Sequence, residues 1–203
     1  MRFPFTNKQT GRPNLKLLDS LTDNALMMQV KNGDLDKLGL LFERYNRILF
    51  AFFYRLGNDS EVCEDLIQNV FMRIVKYKKN FKGEGQFKHW IFHIARNIHA
   101  DNYRVNNKLG KRESLENYSD RLTDHGELVT KDEVDDNVSL LKKCISMMDE
   151  EKRELITLSK LEGMKYKDIG TIINCSEGTV KVKIFRALKE LKDIFQKTKL
   201  NHG

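Results

Sequence analysis

The stretch GMKYKDIGTIINCSEGTVKVKIFRALKELK, residues 163–192, decides how this chain is read. Ile169, Ile172 and Ile173 give a short first helix one apolar face. Asn174 follows, and asparagine tolerates the left-handed backbone that ends a helix. Ser176 then stands where a helix N-cap belongs. The next helix carries Val180, Ile184, Leu188 and Leu191 at spacings of four, four and three, which is one buried stripe. Two helices joined by so tight a turn must cross steeply, as in a helix-turn-helix that reads DNA.

A rotation of about 100° per residue places Thr179, Val182, Arg186 and Lys189 opposite that stripe. Phe185 lies between the two faces, and Lys181 and Lys183 flank the outward one. Flanking lysines suit phosphates, whose contacts position a protein without reading sequence. Arg186 can form a bidentate contact to guanine in the major groove. A plain surface helix solubilised by Lys and Arg is the alternative. The tight turn, the serine cap and the dense basic charge together favour DNA.

The rest of the chain extends this picture. Of 203 residues only two are proline, Pro4 and Pro13, so no proline interrupts a helix from Asn14 onward. An all-α protein is expected. The net charge is +7, which suggests an anionic partner. Residues 138–203 hold 14 Lys/Arg against 9 Asp/Glu, whereas residues 105–137 hold 5 against 9. Two basic blocks therefore flank an acidic segment. Cys63, Cys144 and Cys175 are widely spaced, without a CxxC pair, which supports neither a disulfide framework nor a zinc site. No apolar run approaches the ~20 residues of a membrane span, and the N-terminus lacks a signal-peptide core. A cytoplasmic protein without membrane insertion is expected.

Helical periodicity begins near Asp23. NALMMQVKN makes one helix, and Asp34 is expected to cap a second, LDKLGLLFERYNRILFAFFYRL. Asp59 or Ser60 caps a third, SEVCEDLIQNVFMRIVKYKK, and FKHWIFHIARNIHADNYR makes a fourth. The expected organisation is a flexible extension over 1–20 and a four-helix domain over 21–105. A flexible acidic linker over 106–137 then leads to the helix-turn-helix domain over 138–198. On the third helix Asp65, Gln68 and Met72 share one face at i, i+3, i+7, while Ile67, Val70, Phe71 and Ile74 occupy another. A polar-apolar face beside a core face suits docking on a partner helix, although a core helix with an exposed polar side has the same pattern. On the fourth helix Phe87, Ile91, Ile94 and Ile98 form the buried stripe. His89, His93, Arg96, Ala100 and Arg104 form the opposite face, with Asn97 at its edge. Trp90 fits either core packing or nucleic acid. His89 and His93 lack a third ligand and a HExxH glutamate, so no metal is expected.

These residues carry a resemblance. Gly163, Tyr166, Asp168-Ile169 and Ser176-Glu177-Gly178-Thr179-Val180-Lys181 resemble the C-terminal domain of extracytoplasmic-function (ECF) sigma factors of the sigma-70 superfamily. EDLIQNVF, residues 64–71, resembles that family's E-D-L-x-Q-x-x-F helix. Phe87, Trp90, Ile91, Ile94, Ala95, Asn97, Asp101 and Arg104 match its F-x-x-W-[LI]-x-x-I-A-x-N-x-x-x-D-x-x-R helix. The resemblance implies a non-enzymatic factor, without cofactor, that directs promoter-specific transcription initiation. Its implied partners are core RNA polymerase (the β′ clamp helices and β flap), promoter DNA and an anti-sigma factor. It implies polymerase contacts at Asp65, Gln68, Phe71 and Met72. It implies −10 element contacts at Trp90, His93, Arg96, Asn97 and Arg104, with a flipped base held near Asn97. It implies −35 element contacts at Thr179, Lys181, Val182, Lys183, Phe185, Arg186 and Lys189. In the family the acidic linker threads toward the RNA exit channel.

Four positions depart from the pattern. Lys165 replaces a capping Ser/Thr. Gly170 replaces Ala, which is expected to weaken its helix by about 0.5–1 kcal/mol. Val182 replaces a small polar residue and Leu188 an Arg, so the target bases are not carried over. The rivals are a stand-alone dimeric helix-turn-helix regulator and, more remotely, a metal-dependent nuclease using His89 and His93. The first leaves the N-terminal motifs unexplained.

Overall fold

The computed structural model describes residues 21–84, 86–108 and 136–200, and every regular element among them is helical. The extension over 1–20 and most of the acidic linker lie outside the described residues.

The first half contains α1 (Asp23–Lys31), α2 (Asp36–Arg55), α3 (Ser60–Tyr77) and α4 (Phe87–Lys108). Thr22 caps α1 by accepting the Ala25 N–H at 3.2 Å. Asp59 caps α3 by accepting the Val62 N–H at 2.8 Å. The expected cap at Asp34 does not form. Leu35 occupies the N-cap of α2 without a side-chain bond, and Asp34 instead lies 3.8 Å from Lys37 Nζ. Asn24 of α1 supplies what α4 lacks in its own sequence. Its Oδ1 accepts the Phe87 N–H at 2.6 Å, satisfying a first-turn donor from a neighbouring helix.

The core is aromatic. Phe52, Phe53, Phe87 and Phe92 are fully buried, and Phe52 meets Phe92 edge-on with centroids 5.2 Å apart. Tyr45 reaches the edge of this core with its hydroxyl donating to Asp23 Oδ2 at 2.6 Å. Arg44 holds the same carboxylate at 2.7 Å. Burial first, and then the bond to Asp23, raise the Tyr45 phenol above its ordinary range. The expected stripe of Phe87, Ile91, Ile94 and Ile98 is buried.

The second half contains α5 (Asp136–Ser146), α6 (Glu150–Ile156), α7 (Tyr166–Ile173) and α8 (Glu177–Leu200). Helix α4 runs to Lys108 and α5 starts at Asp136, so helix extends into both ends of the expected linker. A π-type turn, Thr157–Leu161, follows α6, with the Glu162 N–H donating to Thr157 O at 2.9 Å. Helix α8 packs on α5, α6 and α7, and α7 packs on α4. Leu155, Leu158, Met164 and Ile169 of the second half join the same buried cluster as the first-half core. The two halves thus meet along α4.

Candidate nucleic-acid interface

The turn between α7 and α8 forms as its residues dictate. Asn174 takes φ 58°, ψ 51°, the left-handed helix end. The Cys175 N–H donates to Gly170 O at 2.9 Å. Ser176 Oγ accepts the Thr179 N–H at 3.1 Å and lies 2.8 Å from Thr179 Oγ1. Lys165 occupies the N-cap of α7 without a side-chain bond. Gly170 corrects the sequence expectation. A Cβ there would lie 2.6 Å from the Cys175 carbonyl oxygen, so glycine is what lets the turn close, and alanine would not strengthen this helix.

On α8, Val180, Ile184 and Ala187 are buried, while Leu188 and Leu191 are half-buried. Thr179, Lys181, Val182, Phe185, Arg186 and Lys189 are exposed. Phe185 is 69% and Val182 49% exposed, so the outward face presents apolar surface amid basic charge. Ser176, Gly178, Thr179, Val182, Lys183 and Arg186 line a shallow concavity at the start of the helix. Lys183 stands apart from the other basic residues. Its ammonium is bound by Glu151 of α6, and that hydrogen bond raises its pKa.

The other promoter residues expected on α4 separate into three settings. His93, Asn97 and Arg104 follow one line of the helix at i, i+4, i+11. His93 and Arg104 are exposed, Asn97 is half-buried, and Asn97 Nδ2 lies 3.3 Å from His93 Nδ1. Arg104 Nη1 lies 3.6 Å from Asp101. Trp90 is half-buried against Phe81 (5.2 Å) and Phe87 (6.1 Å). Arg96 turns away from His93 and toward the second half, with Nε 2.9 Å from Glu154 Oε1. His89 turns the same way, toward Asp168. The single outward face expected for His89, His93, Arg96 and Arg104 is therefore two faces. Burial pushes the Glu154 carboxyl upward, and Arg96 beside it opposes that shift. Lys88, Phe92 and His99 on this second face went unread in the sequence. Phe92, outside the stripe of Phe87, Ile91, Ile94 and Ile98, was the available signal that α4 has two buried sides.

On α3, Asp65, Gln68 and Met72 are exposed, with Met72 at 57%. Phe71 is not among them. It is 4% exposed and meets Phe42 edge-on at 5.0 Å, so it belongs to the core. Val75, one turn beyond Met72 and also exposed, extends the apolar part of the face.

Comparisons with known proteins cover the stretches of chain that carry these helices. The model of sigma-70 region 2 matches residues 41–108, and that of sigma-70 region 4 matches residues 139–191. The ECF RNA polymerase sigma-E factor of Haemophilus influenzae is 30% identical, over 89% of this chain and 98% of its own. The RNA polymerase sigma-H factor of Pseudomonas aeruginosa is 27% identical, over 89% and 97%. Among solved structures, CnrH in complex with the cytosolic domain of CnrY superposes with a TM-score of 0.64. It is 21% identical and covers 86% of this chain and 97% of its own. The sigma factor RpoE of Bartonella quintana, in complex with the anti-sigma factor NepR, superposes at 0.61. It is 22% identical, over 78% and 96%. These likenesses show a shared fold.

Proposed function

The chain belongs to the ECF branch of the sigma-70 family, whose work is promoter-directed transcription initiation with core RNA polymerase, and we propose how its residues divide that work. The exposed face of α3, Asp65, Gln68 and Met72, docks on the β′ clamp helices of the polymerase. Phe71 supports that face from below. His93, Asn97 and Arg104 line the open side of α4 and hold the −10 element, with a base extruded near Asn97. Arg96 joins them when the second half moves off. Trp90 braces the loop before α4 through Phe81.

Helix α8 enters the major groove at the −35 element. Arg186 takes guanine, Lys181, Lys189 and Thr179 take phosphates, and Val182 and Phe185 offer apolar contact to a thymine methyl. The β flap receives the second half. The protein catalyses no reaction of its own and acts in the cytoplasm by binding. An anti-sigma factor is its expected inhibitor. Among the described residues no helix is long and apolar enough to cross a membrane.

The observation that carries this reading is the presence of both surfaces in one chain. A duplex-reading helix alone would serve any regulator. Joined to the α3 and α4 faces, it serves initiation. The test is reconstitution with core RNA polymerase on a genomic library. The expected result is a stable complex and transcripts starting at discrete sites. Duplex binding by the free chain with no polymerase complex would support the stand-alone regulator instead.

A further inference from the structure

The open line of α4 contains a carboxylate. Asp101 stands one turn beyond Asn97 and one turn before Arg104, on the side of the helix that carries His93, Asn97 and Arg104. An exposed anion in a line that follows DNA phosphates repels them unless cations offset it. Arg104 Nη1 lies 3.6 Å from Asp101 Oδ1. The other carboxylate oxygen, Oδ2, accepts from Arg73 of α3, with Nη1 at 3.4 Å and Nη2 at 3.3 Å. One carboxylate thus holds two guanidinium groups from two packed helices. Two positive charges against one negative leave the cluster cationic. Arg73 follows Met72 directly, so α3 turns its docking face one way and this cation toward α4. The Arg73, Asp101 and Arg104 side chains are 38%, 54% and 74% exposed, so all three reach solvent.

We propose that Arg73 is a further −10 contact, and that Arg73 and Arg104, oriented by Asp101, grip neighbouring phosphates of one promoter strand as it crosses from α4 to α3. This rests on the assignment of α4 to the −10 element. Each guanidinium carries five N–H donors in a planar fork. The donors turned to Asp101 fix the plane of the group and leave the others for phosphate oxygens. A long side chain already held in place loses less conformational freedom on binding. The contacts, at 3.3–3.6 Å, are looser than the roughly 2.7–2.9 Å of a tight charge-assisted pair. Both groups can therefore tilt toward an incoming phosphate. Asp101 is a positioning residue that touches no DNA. Without Arg73 its charge would cancel that of Arg104. A surface ion pair with no part in DNA binding makes the opposite prediction for Asp101, since losing an anion alone favours DNA.

The test uses the full chain assembled with core RNA polymerase and a fluorescent forked promoter whose −10 strand is unpaired. Anisotropy gives the affinity across a salt series. Arg73→Ala is expected to weaken binding several-fold and to flatten the slope of log affinity against log salt by about 0.7–0.9, the share of one phosphate. The loss should be alike whatever bases fill the −10 element, because phosphates carry no sequence. Arg73→Lys keeps the charge but loses the fork, and should fall between. Asp101→Ala should also weaken binding, although it removes a negative charge. Circular dichroism checks that each variant is folded, and affinity for core polymerase should be unchanged in all three. Tighter DNA binding by Asp101→Ala marks a bare repulsive charge and overturns the proposal. An Arg73→Ala variant with unaltered affinity and salt dependence does the same, as does one that loses core polymerase instead. Arg104→Ala reads the underlying assignment. If it weakens binding while Arg73→Ala does not, only the role of Arg73 is lost. If neither it nor Asn97→Ala has an effect, the −10 reading of α4 itself fails.

Discussion

A Cβ at residue 170 would sit 2.6 Å from the Cys175 carbonyl oxygen, inside any real contact distance. Gly170→Ala is therefore expected to destabilise the chain by about 1–3 kcal/mol, because backbone must shift to accommodate it. Urea denaturation checks this, and a stabilised variant would show that the turn relaxes freely. Propensity alone argues the reverse, since alanine favours helix over glycine. The reason it fails is tertiary: the carbonyl that approaches Gly170 arrives only when the turn has closed. Phe185 makes a second point at this scale. A ring 69% exposed on a DNA-reading helix is expected to touch a 5-methyl group. Replacing one −35 thymine by uracil should weaken binding of the wild-type holoenzyme while leaving Phe185→Ala indifferent. Equal losses in both would remove Phe185 from base contact.

At the scale of single helices, caps and stripes were largely legible in the chain. Asn174, Ser176 and the spacing of Val180 and Ile184 foretell the turn and the core side of α8, because these depend on residues within one or two turns. The spacing of Phe71 with Ile67, Val70 and Ile74 likewise puts it on the apolar face of α3, where Phe42 of α2 covers it; the polymerase contact at Phe71 came from the family resemblance and not from its spacing. The docking face proposed for α3 is then the exposed Asp65, Gln68 and Met72, with Val75 beside them. Met72→Ala should weaken core polymerase binding several-fold with thermal stability retained, and an unchanged affinity would move the contact elsewhere. Helix α6 offers a check on stability. Asp149 caps it by accepting the Lys152 N–H at 2.9 Å. Burial alone would raise the Asp149 carboxyl, but hydrogen bonds from Lys152 hold it below its ordinary value. A depressed carboxyl stabilises the fold above its unfolded pKa of about 3.9, and that contribution fades as pH falls through the folded value. Asp149→Ala should cost about 1 kcal/mol at neutral pH. The gap to wild type should close below about pH 4, as read by denaturation across pH. A gap independent of pH would mean that the charge contributes nothing.

At the scale of the whole molecule, the all-helical class and the two halves follow from composition and periodicity. How the halves meet does not. Packing, and nothing in their local sequence, sets Glu150, Glu154, Glu162 and Asp168 against His99, Arg96, Lys88 and His89. Ion pairs between residues some fifty to eighty positions apart leave no periodic trace in sequence. The central claim is that α4 opens promoter DNA while α8 locates it. The most direct measurement is run-off transcription by reconstituted holoenzyme on one promoter, supplied either as intact duplex or with the start region already unpaired. Asn97→Ala should be slow on the duplex and restored on the unpaired template, whereas Arg186→Ala should stay impaired on both. Asn97→Ala that remains impaired on the unpaired template, or Arg186→Ala restored by it, would contradict this division of labour.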